Sequence, residues 1–224
     1  SEDVGSITSA KTITNNGTLT IEKVQINQNQ NVAAVSNVSG ATLNIKGATI
    51  NAKDSHAINS AGTLNLEGDY TLNANQYALY VSGNSQTINS GLIKGMESTV
   101  DLTIEDGATI VGNGANGRAG IAIRGSSTVI VNGGLISSPG NNAIYNNGSN
   151  VNVTVNGGEI TGGSGLYCDA GTSKYTLNGG TITGTSIGVR MQADNCHFDM
   201  NDGYVEAPSY GIYTYGQNNT INIV

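Results

Sequence analysis

The chain has 224 residues, including 32 Gly and 30 Asn but only 2 Pro and no Trp. Charged residues make up 11% and the formal net charge is −7, which argues against a nucleic-acid partner, because that binding depends on cationic neutralisation of phosphates. No run approaches the ~20 apolar residues of a membrane helix, so membrane insertion is not expected. Gly and Asn beside regularly spaced Ile, Leu and Val point to many tight turns in one ordered domain rather than to disorder.

Residues 1–16 carry no complete repeat; 6–14 alternate weakly and read as a lead-in strand or a partial cap. A recurring unit begins at Gly17. Residues 17–38 carry Leu19/Ile21 and Val24/Ile26 before a polar bend at 28–31. Residues 39–60 repeat this with Leu43/Ile45, Ile50 and Ile58, and 61–83 with Leu64/Leu66, Leu72 and Leu79-Tyr80-Val81. Residues 84–96 are short: Ile88 and Leu92/Ile93 fit, but a third strand reads as short or missing. Residues 97–125 are long instead, with the surplus in the Gly-rich stretch 112–118. Insertions in solenoids map to surface loops, often on a working face. This one lacks the following helix and the Lys of a phosphate-binding loop.

Four rows of 23 residues follow, 126–148, 149–171, 172–194 and 195–217, and 218–224 begin a further one. A fixed period of this size marks a repeat architecture. Apolar residues inside each row are two apart, as in Val129/Val131, Val153/Val155, Tyr175/Leu177 and Phe198/Met200. That is the strand period, and no helical period occurs. Each row holds three short strands. The first ends at an Asn turn, the second centres on Ile136, Ile160, Ile182 and Val205, and the third carries Ile144, Leu166, Val189 and Ile212. Alternation turns that third set inward and Tyr145, Tyr167, Arg190 and Tyr213 outward. The expected fold is all-β: a parallel β-solenoid of about ten coils, three short strands each, as a single domain over 1–224.

Asn132, Asn156, Asn178 and Asn201 recur at the first turn and fit a ladder of stacked side-chain amides. With this column the pattern resembles the right-handed, single-stranded parallel β-helix of the pectate-lyase-like superfamily. It lies nearer to the repeat-rich bacterial surface and adhesin members than to the enzymes. The resemblance covers nearly the whole chain, but it is specific for fold and weak for function, because the scaffold hosts many activities. Together with the composition, it implies a secreted or cell-surface bacterial protein.

The enzymes of that superfamily use clustered Asp for Ca²⁺ with a basic proton acceptor, or several Asp with a His and an Arg-x-Lys. This chain has no Asp-Asp, Asn-Thr-Asp, Gly-His-Gly or Arg-Ile-Lys. The best acid–base set is Asp169, Arg190, Asp194 and Asp199, with His197 beside the last. It supports the rival reading, a polysaccharide lyase or glycoside hydrolase, only if the coils bring these groups together. No metal or other cofactor is expected: His56 reads as a solvated surface residue, and the Cys196-His197 pair has no further Cys or His nearby. Cys168 and Cys196 are 28 positions apart, one coil plus five. A straight count puts them beyond the ~7 Å reach of a bridge, so two small buried thiols are expected.

The stronger candidate is an aromatic stripe. Tyr80, Tyr145, Tyr167 and Tyr213 share one outward register, with Arg190 between the last two and Tyr215 two positions beyond. Stacked coils make such residues lateral neighbours, and a Tyr ring suits the C–H faces and hydroxyls of a sugar. Thr columns of an ice-binding kind are broken by Leu135, Glu159 and Tyr204. The expectation is a non-catalytic binding or structural module that touches a glycan or cell-surface polysaccharide through Tyr80, Tyr145, Tyr167, Arg190, Tyr213 and Tyr215. An alternative is a stalk or filament subunit that self-associates end to end through the open C-terminal coil.

Overall fold

A computed structural model describes residues 5–224. It is a parallel β-solenoid of about ten turns spaced about 23 residues apart. The first four residues of the expected lead-in segment lie outside the described residues. The rest of it is no separate cap: Gly5–Ser9 pairs with Val24–Gln28, and Ile13–Asn15 with Val35–Asn37, so it supplies the second and third strands of the lowest coil.

Period-two alternation sets the faces as read. Ile26, Ile50, Leu72, Ile93, Ile110, Ile136, Ile160 and Ile182 succeed one another up the second face, all buried. Ile58, Leu79, Met96, Ile121, Ile144, Leu166 and Val189 do the same on the third. Each aliphatic row lies one coil above the last, so burial accumulates as a continuous apolar stack. Glu159–Cys168 and Thr181–Met191 run unbroken through the corner between these faces, joining them in one 18-stranded sheet.

The first face is split into sheets of 3 and 7 strands. The break falls between Thr63–Glu67 and Gln86–Ile88. Gln86 occupies an inward position that neighbouring coils give to Leu64 and Leu102. Its buried amide needs partners, and it turns to donate to the carbonyls of Leu64 and Thr87, both at 3.1 Å.

The first turn carries the expected ladder. Asn156 donates to Asn132 at 2.9 Å, Asn178 to Asn156 at 2.9 Å and Asn201 to Asn178 at 2.8 Å. The ladder is exposed. Two residues on, Gly158 and Gly180 have φ of 84° and 81°, a left-handed conformation that lets the chain reverse without a Cβ clash. A second ladder, unforeseen, is buried: Asn15 donates to Asn37 at 2.9 Å, and Asn37 donates to Ser60 Oγ at 3.0 Å and the Thr63 carbonyl at 2.9 Å.

Two local expectations need correction. The short coil does have a third strand, Met96–Ser98, paired on both sides; only the Lys94-Gly95 link before it is minimal. The long 112–118 segment then folds back across that coil. Its Asn113 and Asn116 amides reach the Asn75 carbonyl at 3.4 and 3.3 Å, so the insertion covers what the short coil leaves open. The cysteines are also joined: Cys168–Cys196 is a disulfide with Cα atoms 7.0 Å apart. The five extra residues turn the corner between the third and first faces. They fold the chain back instead of adding to the separation.

Candidate functional site

The third face holds the outward residues of interest. Tyr145, Tyr167, Arg190 and Tyr213 occupy successive strands in one register, as expected. Tyr80 does not join them, because Glu97 and Ala122 fill the two intervening positions. Tyr80 stacks instead on His56, with centroids 5.6 Å apart. His56 is half-buried rather than solvated, and its Nδ1 lies 2.7 Å from the Tyr77 carbonyl.

Above this gap the stripe is organised by charge. Tyr145 and Tyr167 lie 5.4 Å apart, and both hydroxyls donate to Asp169, at 2.6 and 3.1 Å. Burial, and then the Asp169 carboxylate, push the Tyr145 hydroxyl up to about 12. The same causes raise Tyr167, against the pull of Arg190. Arg190 lies over the Tyr167 ring at 4.7 Å and spends two N–H groups on Gln192 Oε1, at 3.1 and 2.7 Å. Tyr213 packs on Tyr210 at 5.1 Å, and Tyr215 is 70% exposed.

Two further arginines, missed in the sequence, repeat this device. Arg124 lies over Tyr145 at 5.4 Å and Arg118 over Tyr77 at 5.5 Å. The chain has three Arg in all, and each lies over a tyrosine ring: Arg190 and Arg124 over rings of this face, Arg118 over the buried Tyr77 in the bend that leads into it. Alternation beyond Ala122 would have turned Arg124 outward. Arg118 carried no such signal, because it reaches Tyr77 only when the long loop folds back. A cleft of about 250 Å³ opens there, with Tyr77, Arg118, Arg124, Asn141, Asn142 and Tyr145 in its walls.

The candidate catalytic set does not converge. Asp169 is occupied by the two tyrosine hydroxyls, and Asp194 Oδ1 accepts from the Gln217 amide at 2.6 Å. Asp199 lies on the first face, paired with Lys174 at 2.9 Å and with His197 Nε2 at 2.7 Å. The Lys174 hydrogen bond, opposed by burial and aided by the Asn222 hydrogen bond and the charge of His197, holds its carboxyl below the usual range. His197 Nδ1 meets Thr220 Oγ1, a polar pairing across neighbouring strands. Among the described residues no group of three His, Cys, Asp or Glu is placed to hold a metal ion, and no helix is long and apolar enough to cross a membrane. The chain matches no protein-family model, no curated protein and no solved structure.

Proposed function

We propose that the chain is a non-catalytic binding module of a secreted or cell-surface bacterial protein, and that its third face contacts glycans. The observation that carries this reading is the placement of all three arginines against tyrosines of the third face and of the bend that leads into it, in a chain of net charge −7. Stacked Arg–Tyr pairs present flat apolar surface beside fixed donors, a combination suited to sugars. Tyr210, Tyr213 and Tyr215 extend it toward the C-terminal end. The disulfide supports an oxidising compartment, and the coil pattern supports membership of the right-handed pectate-lyase-like superfamily.

The dispersed carboxylates favour binding over turnover. Pectin, alginate or hyaluronan incubated with the chain, with and without Ca²⁺, is expected to release no unsaturated or reducing ends. A glycan array is expected to score positive with the native chain and weaker with Tyr213→Ala. Signal indifferent to Tyr213 and Tyr167 would remove the reading, as would turnover abolished by Asp169→Asn.

End-to-end stacking of copies is favoured by a separate observation. At one end Val205, Ile212, Ile221 and Ile223 hold the inward positions; at the other, Ile7, Ile13, Leu19 and Ile21 hold the same ones. Ile7 and Ile223 are 47% and 64% exposed, an edge able to pair with another chain. Sedimentation velocity is expected to show concentration-dependent oligomers lost in Ile223→Asp; a monomer at every concentration would exclude stacking.

A further inference from the structure

We propose that the cleft under the 112–118 loop is an oxyanion site, taking the carboxylate or sulfate group of an acidic sugar between Arg118 and Arg124, with the Tyr77 and Tyr145 rings as walls. The inference rests on the glycan reading above and narrows it to one chemical class.

Four observations carry it. First, Arg118 has no carboxylate partner among the described residues, and its Nε is buried without a hydrogen bond. Nε itself is shut away from solvent, so an incoming anion would be met by the terminal N–H groups and would offset the unpaired charge. Second, Arg124 gives Nε to Glu97 at 3.5 Å and forms no other ion pair among the described residues, so the edge of its guanidinium that does not face Glu97 remains for a ligand. Stacking on tyrosine occupies the face of a guanidinium and leaves its in-plane donors available.

Third, the acidic groups nearby do not enter the cleft. Glu97 and Asp169 are absent from its walls, and Asp169 is bound to the Tyr145 and Tyr167 hydroxyls. Tyr145 therefore offers the cleft its ring and not its hydroxyl. Fourth, the site is held in shape before any ligand arrives. The Arg118 amide donates to the Asn113 carbonyl at 3.0 Å, and Ser138 Oγ donates to the Arg118 carbonyl at 2.8 Å. Such pre-ordering lowers the entropic cost of binding. Larger clefts, of about 330 Å³ beside Gln86 and about 360 Å³ beside Tyr70, contain no cation and one carboxylate each, Glu67 and Asp69. A cleft of about 260 Å³ beside Asn75 holds a single cation, Lys94, so what is particular to this cleft is its pair of arginines set against tyrosine rings.

The test is calorimetric titration of the whole chain with four probes: a tri-uronate, its methyl ester, a sulfated neutral trisaccharide and the same trisaccharide unsulfated. At low salt at least one charged probe is expected to bind roughly ten-fold or more tighter than its neutral counterpart, the value of one charge-assisted contact. The preference should fall toward unity in Arg118→Gln and in Arg124→Gln, and weaken with added salt. Circular dichroism of each variant would separate loss of the site from loss of fold. Equal affinity for charged and neutral probes, or full preference retained in both variants, overturns the oxyanion site; if binding then still depends on Tyr213, the glycan reading survives alone. If free uronate or inorganic sulfate, titrated alongside these four, binds through Arg118 but no saccharide adds to it, the oxyanion site stands and the glycan reading falls. If no probe binds, both fall.

Discussion

Replacing Asn37 with Ala should cost far more than replacing Asn156, although each is the middle member of a side-chain ladder. Asn37 is 1% exposed. Its amide donates to Ser60 Oγ and the Thr63 carbonyl, and its carbonyl accepts from Asn15. After substitution Asn15 keeps the Thr42 carbonyl at 2.8 Å, and Ser60 keeps the Gly62 carbonyl at 3.2 Å. The Thr63 carbonyl keeps no such side-chain partner, and it loses a donor that was itself buried. One orphaned buried group costs about 1–3 kcal/mol, and the weakened neighbours add to it, so about 2–3 kcal/mol is expected. Asn156 loses two bonds of 2.9 Å on an exposed turn. Water replaces them there, and about 1 kcal/mol or less is expected. Equilibrium urea unfolding of both variants measures the difference. Equal losses, or a larger loss at Asn156, would refute the distinction between the two ladders.

Cys196→Ser, or reduction of the native chain, should remove about 3–4 kcal/mol, the chain-entropy value for a loop of 28 residues; no change in the urea midpoint would mean that the bridge is unimportant to stability. Gly91 has φ of 80°, and a Cβ there would lie 2.6 Å from the Tyr70 ring. Gly91→Ala should therefore cost about 2–4 kcal/mol from left-handed strain plus overpacking, and a neutral result would contradict the packing of Tyr70 across the short coil. Tyr145 titrates near 12 when folded against 10.0 ordinarily. Its folded value is the raised one, so its contribution is complete below pH 10 and is lost as pH climbs toward 12. The stability gap between the native chain and Tyr145→Phe should close across that window; a gap independent of pH would sink this.

The coil was legible because its physics is local. Period-two alternation and a fixed row length assign Ile160, Ile182, Leu166 and Val189 to the interior, and the Asn column predicts its own ladder. What could not be read depended on how corners and loops fold. Counting residues between Cys168 and Cys196 measured contour length, whereas a tight corner returned the chain to within bonding reach. Tyr80 shares the register but stands three coils from Tyr145: once the short coil is aligned, Glu97 and Ala122 fill the positions between and interrupt the stripe. Arg118 and Tyr77 meet only because a long loop crosses a short coil, and no periodic pattern encodes that meeting. Stacking the last coils suggests the acid–base set, but its members span two faces around a bend, and the fold gives each a separate partner.

The claim that the third face is the working surface is tested most directly by NMR of the chain during titration with an oligosaccharide mixture, following tyrosine ring and arginine Nε resonances. The account predicts shifts at Tyr167, Tyr210, Tyr213, Tyr215 and Arg190, with the buried Tyr70 and Tyr175 unmoved. Shifts confined to another face, or a spectrum that no saccharide perturbs, would contradict it.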